Sequence, residues 1–111
     1  MAEYGEWNRK GASLSDVTAK KEYGVDRDFI IKGINAGKLE VREGSIYGNP
    51  YIKVLRRQLE EYIAEELGKE YLNKARNRTE LRKIKKEIAE VECRLASLKL
   101  EKIALERLLE K

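Results

Sequence analysis

The last third of this chain carries a heptad repeat. With Leu81 as position a, the a and d positions run Leu81, Ile84, Ile88, Val91, Leu95, Leu98, Lys102, Leu105 and Leu109, so eight of nine are apolar across four heptads. A repeat of this period keeps one stripe of a helix turned toward a partner, which predicts a coiled-coil helix over 79–111. At 1.5 Å per residue that helix is a rod of roughly 45 Å, more than a small head can cover, so the expected partner is another helix. Lys102 at an a position lowers stability and restricts the allowed pairings.

The charges beside the stripe bear on orientation. In a parallel, in-register pair, Glu80 would meet Lys85 favourably, but Glu87 with Glu92, Arg94 with Lys99 and Glu101 with Glu106 are like-charged. Reversing one strand about a centre between Ala96 and Ser97 brings Lys85 to Glu106, Glu92 to Lys99 and Arg94 to Glu101, and every charged pair attracts. Exposed pairs are worth only about 0.2–1 kcal/mol each, so they select an orientation more than they stabilise it. The expectation is an antiparallel homodimer with its heads at opposite ends and the two copies of Leu81 roughly 45 Å apart. Leu100, Ile103 and Leu108 lie off the stripe. They leave open a larger bundle, a contact with the head, or a docking face for another protein.

Composition narrows the function classes. Of 111 residues, 40% are charged and 41% hydrophobic, a mixture that long exposed helices produce. There is no histidine and one cysteine, Cys93, at an outer f position. The usual zinc-ligand sets, His-based acid–base chemistry and an internal disulfide are therefore missing, and the chain reads as a non-enzyme without metal or cofactor. No stretch approaches the roughly 20 apolar residues that cross a bilayer, and the N-terminus has no secretory apolar run, which makes the cytoplasm the default address. The net charge is a mild +4, but 69–86 holds eight basic residues against two acidic ones. That run is the electropositive part of the chain.

Ahead of the coil the residues predict a short N-terminal arm (1–13), a head (14–67) and a basic connector (68–78). In the head, Ser15 and Asp16 read as an N-cap and an acidic first turn of a helix that Tyr23-Gly24 ends. Asp26 caps a second helix with Ile30 and Ile34 on one face, and Gly37 falls where a left-handed C-terminal cap belongs. A strand follows at 39–42. Gly44-Ser45 and Gly48-Asn49-Pro50 supply turns, and 51–53 returns as the second strand of a hairpin. Leu55, Leu59, Tyr62, Ile63 and Leu67 form a helical stripe that closes the core. Gly68, Asn73, Asn77 and Thr79 predict a bend or break in the connector, with one helix from Leu55 to the end as the alternative. Gly33 to Lys38 superficially matches a phosphate-binding loop, but it is one residue short, lacks the following Ser or Thr, and puts Gly-Lys at a helix C-terminus.

The order LSDVTAKKEYGVDRDFIIKGINAGKL, then the hairpin, then RRQLEEYI resembles the winged helix-turn-helix domains of the excisionase and MerR-like families. The fold this implies is mainly α, with a two-stranded hairpin wing on a small head and a long C-terminal coiled-coil helix. The resemblance implies that the helix from Arg27 to Ala36 enters the major groove of double-stranded DNA. That nominates Arg27, Asp28, Lys32 and Asn35 for base edges, and Lys20, Lys21, Lys38, Arg42, Lys53, Arg76 and Arg78 for phosphates. Residues 1–53 carry nine basic and eight acidic residues. Such a head binds DNA weakly alone, so the connector or a second head must add affinity.

Two function classes result. The first is a DNA-binding regulator or excisionase-like factor, with a phage small-terminase-like packaging factor as a variant implying larger oligomers. The second is an interaction scaffold whose head has kept the fold without DNA binding and whose coil binds another protein.

Overall fold

The computed structural model describes residues 1–110 and has the expected mainly helical architecture, a small head followed by a long C-terminal helix. The chain divides into two units, Met1–Thr79 and Glu80–Lys111, and the buried core belongs to the first. A 3-10 turn (Glu6–Asn8) leads into β1 (Ser13–Ser15), α1 (Asp16–Tyr23), α2 (Arg27–Asn35), β2 (Val41–Ile46), β3 (Asn49–Leu55), α3 (Arg56–Leu67) and α4 (Lys69–Leu109).

Local chemistry sets the helix ends. Ser15 is extended and its hydroxyl accepts from the Thr18 N–H at 3.2 Å; the Asp26 carboxylate accepts from the Phe29 N–H at 2.9 Å. Gly24 and Gly37 take left-handed φ of 73° and 76° where α1 and α2 stop. Gly33, by contrast, is needed for closeness. A Cβ there would lie 2.7 Å from Leu39 and 2.8 Å from the Tyr62 ring, and so α2 can seat directly on both.

The sheet differs from a two-stranded hairpin. Three strands run in the order β1-β3-β2, all antiparallel, with Leu14 opposite Val54 and Glu43 opposite Ile52. β1, at three residues, is too short to show alternation in the sequence. The turn also moves: Tyr47 and Gly48 occupy it with φ of 51° and 80°, the positive pair a type I′ turn requires. Gly44, Ser45, Asn49 and Pro50 lie in the ladder instead. Gly44 is there because the ring of Tyr51, its cross-strand partner, fills the place of a Cβ at 2.7 Å. Pro50 is tolerated because β1 pairs only with Lys53–Leu55, so no neighbour needs its missing N–H.

Ile30, Val54, Leu55, Leu59 and Ile63 are the fully buried centre. Leu67, expected in the same stripe, is 45% exposed, because the α3 stripe ends at Ile63. The core is completed by Leu72 and Ala75, from the stretch that reads in sequence as a connector. The chain breaks at Gly68 (φ 95°) and not at Asn73 or Asn77, which lie within α4. Side chains of α4 also finish α1: the Tyr71 hydroxyl donates to the Tyr23 carbonyl at 2.7 Å and the Thr79 hydroxyl to the Glu22 carbonyl at 2.6 Å. These are carbonyls that a helix C-terminus leaves without internal partners.

The N-terminal arm is docked. Glu6 is buried and takes two hydrogen bonds of 3.0 Å from Arg57, which hold its carboxyl at about 2 from an ordinary 4.5. Folding lowers this pKa, so the stabilisation is complete above pH 4.5 and disappears as the pH falls toward 2. Glu6→Gln is expected to lower the melting temperature at pH 7 and to shrink the loss of stability between pH 4.5 and 2, followed by circular-dichroism melts. An unchanged acid dependence would contradict the assignment.

Candidate nucleic-acid interface

The helical period of α2 sorts its residues. Ile30 and Gly33 face the core, leaving Arg27, Asp28, Ile31, Lys32 and Asn35 exposed on the outer side. All four base-edge nominees therefore share one accessible face. Among the described residues neither Arg27 nor Lys32 is held in a salt bridge. Lys20 and Lys21, on α1, are exposed as well, and with Arg27 they line a cleft of ≈530 Å3 between the two helices. Asp16, Asp26 and Asp28 line the same cleft. Three carboxylates against three cations leave it without the net charge that would hold a phosphate there, and the cations must act outward from its rim.

The hairpin brings two further nominees together. Arg42 and Lys53 are directly opposite one another in the β2–β3 ladder and both are exposed. Like charges so placed repel. Each is instead balanced by a ring: the Arg42 guanidinium lies 4.6 Å from the Trp7 ring centre, and the Lys53 ammonium 5.7 Å from that of Tyr51. Trp7 of the arm thus fixes the direction of a wing cation.

The remaining nominees are engaged elsewhere. Lys38 pairs with Glu65 at 3.3 Å. Arg76 forks onto Glu60 at 2.6 and 3.0 Å and lowers the pKa of that carboxyl by its hydrogen bonds. It lines a different cleft, with Arg57, Glu60, Glu61, Lys69 and Asn73 among the neighbours, and so belongs to the closure of the head. Burial, with the hydrogen bond to Glu60, pushes the Tyr23 hydroxyl up to about 12 in the same network. Arg78 donates to the Lys74 carbonyl at 3.4 Å within α4.

Sequence reasoning missed two exposed apolar residues beside the cationic face, Val17 (72% exposed) on α1 and Ile31 (38%) on α2. The available signal for Ile31 was its phase, one residue out of step with Ile30 and Ile34.

In the second unit the a and d residues are all solvent-accessible, from 43% at Ile84 to 85% at Leu109. Leu81, Ile88, Val91, Leu95, Leu98 and Leu105 lie between these limits. Lys102 reaches Glu106 at 4.0 Å along its own helix. No helix of the described residues is long and apolar enough to cross a membrane. Compared with protein-family models, curated proteins and solved structures, the chain has no match.

Proposed function

We propose that this chain is a non-enzymatic DNA-binding protein of the winged helix-turn-helix type, acting as a coiled-coil homodimer or larger oligomer. The observation that carries the reading is the outer face of α2, where Arg27, Lys32 and Asn35 stand exposed on a helix whose other side is buried. Arg27 suits a bidentate contact with guanine and Asn35 one with adenine. Lys20 and Lys21 suit phosphates on one side of the groove, and the paired Arg42 and Lys53 of the hairpin suit phosphates beside it. The exposed a/d stripe of α4 and its charge register support antiparallel pairing, so that two weak heads bind as one molecule.

A second reading has its own observation. Lys38 and Arg76 are committed to Glu65 and Glu60, which takes two cations away from phosphates and favours an interaction scaffold. Site selection from random duplexes, followed by anisotropy titrations, separates the two. Arg27→Ala is expected to lose about 5- to 150-fold, the equivalent of 1–3 kcal/mol, and to relax specificity at one base pair. Lys20→Ala is expected to weaken all duplexes alike and to reduce the salt slope by about 1. Both variants binding like the wild type would overturn the DNA reading in favour of the scaffold.

A further inference from the structure

α4 carries a second apolar face. Its b and f positions from 89 to 103 are Ala89, Cys93, Ala96, Leu100 and Ile103, alternately four and three residues apart, with no charge among them. In a two-stranded coil these are the outermost positions and the usual place for charge. Here Leu100 is 70% and Ile103 45% exposed, on the side of the helix away from the a/d stripe. A single antiparallel partner on the a/d stripe leaves both uncovered.

We infer that this face takes the same face of another copy of the chain, so that α4 joins coiled-coil dimers into a larger assembly. The inference rests on the pairing of the a/d stripe given above. The occupant is identified by self-complementarity. With two helices antiparallel about the centre that the a/d charges select, between Ala96 and Ser97, Cys93 lies level with Leu100, while Ala89 comes within one residue of the level of Ile103 and Ala96 within one residue of its own copy. Large meets small at the ends and small meets small in the middle, which lets two helices approach at even spacing. A parallel arrangement would stack Leu100 on Leu100 and Ile103 on Ile103 at one end and leave alanine against alanine at the other.

One flank agrees with the same register. On the c side, the flank not shared with the a/d stripe, Glu90 comes nearest Ala104 and Ser97 its own copy, and neither contact is repulsive. The large-against-small match on this face thus falls within one residue of the centre that the charges of the a/d stripe select, as pairing between copies of one chain requires.

Light scattering on the full chain tests this, with Leu100→Glu/Ile103→Glu as the variant, since both residues are exposed and the substitutions leave the helix and head intact. The wild type is expected to be a tetramer or larger and the double variant a dimer. A wild-type dimer, or a double variant that keeps the larger mass, would overturn the second face while leaving the a/d pairing in place. A wild-type monomer would overturn both. Cys93 reads the register independently. Antiparallel copies hold their two thiols roughly 10 Å apart along the axis at 1.5 Å per residue, beyond the reach of a disulfide. A bis-maleimide of about that length is expected to link them in the wild type and not in the double variant. A Cys93 disulfide formed under mild oxidant would place the faces in parallel and contradict the proposal.

Discussion

Replacing Ile88 and Leu95 together by Asp is expected to reduce the protein to monomers at micromolar concentration and to lower its affinity for duplex DNA by about 10²- to 10⁴-fold. In the antiparallel register Ile88 faces Leu105 and Leu95 faces Leu98, so each dimer would bury four new carboxylates in its seam. An unpaired charge in such a place costs several kcal/mol, more than the remaining layers supply. The shorter second face, with two large side chains, does not hold a dimer alone. The head should be untouched, because its buried residues end at Thr79 and none of them lies in the heptads. Light scattering and anisotropy read the two effects, and near-UV circular dichroism checks the head. A variant that stays dimeric would contradict the seam. One that becomes monomeric yet binds DNA as before would contradict the dependence of the head on pairing.

The second large effect concerns where the head ends. A chain stopped after Gly68 is expected not to fold, whereas one stopped after Glu80 should melt cooperatively. Residues 69–79 bring Leu72 and Ala75 into the core and Tyr71 against it. Deleting a buried leucine side chain alone costs about 2–5 kcal/mol. The same cut removes the hydroxyl donors on the Glu22 and Tyr23 carbonyls and the Arg76 fork on Glu60. Buried polar groups left unpaired cost roughly 1–3 kcal/mol each. A head of this size has about 5 kcal/mol in all, at the low end for a domain. A shorter chain with a wild-type melting temperature would contradict this account of the core.

Much of the head is legible in sequence because its signals are local. Ser15, Asp26, Gly24 and Gly37 act through backbone chemistry within four residues, and each stands where a helix begins or ends. The heptad is legible for the same reason, being a period along one helix. What the sequence hides depends on distant partners. Gly44 looks like a turn residue until Tyr51 is placed across from it, and β1 becomes a strand only because β3 offers an edge.

The basic run from Lys69 reads as a linker because its polar residues outnumber Leu72 and Ala75. Their four- and three-residue spacing with Thr79 was the available clue. Site residues divide in the same way. The accessibility of Arg27, Lys32 and Asn35 follows from the phase of Ile30 within one helix. The capture of Lys38 by Glu65 and of Arg76 by Glu60, and the stacking of Arg42 on Trp7, depend on long-range packing that no local pattern announces.

Binding of DNA by a nearly neutral head is proposed to run through a few exposed cations presented in pairs. It is tested most directly by titrating the full-length wild type against a duplex of about 40 base pairs from 50 to 300 mM salt. With Lys20, Lys21, Arg42 and Lys53 each neutralising a phosphate in the two heads of one coiled-coil pair on the duplex, log K is expected to fall against log salt with a slope of roughly −7, at about −0.9 per phosphate. A slope near zero, or no binding at 50 mM salt, would contradict it.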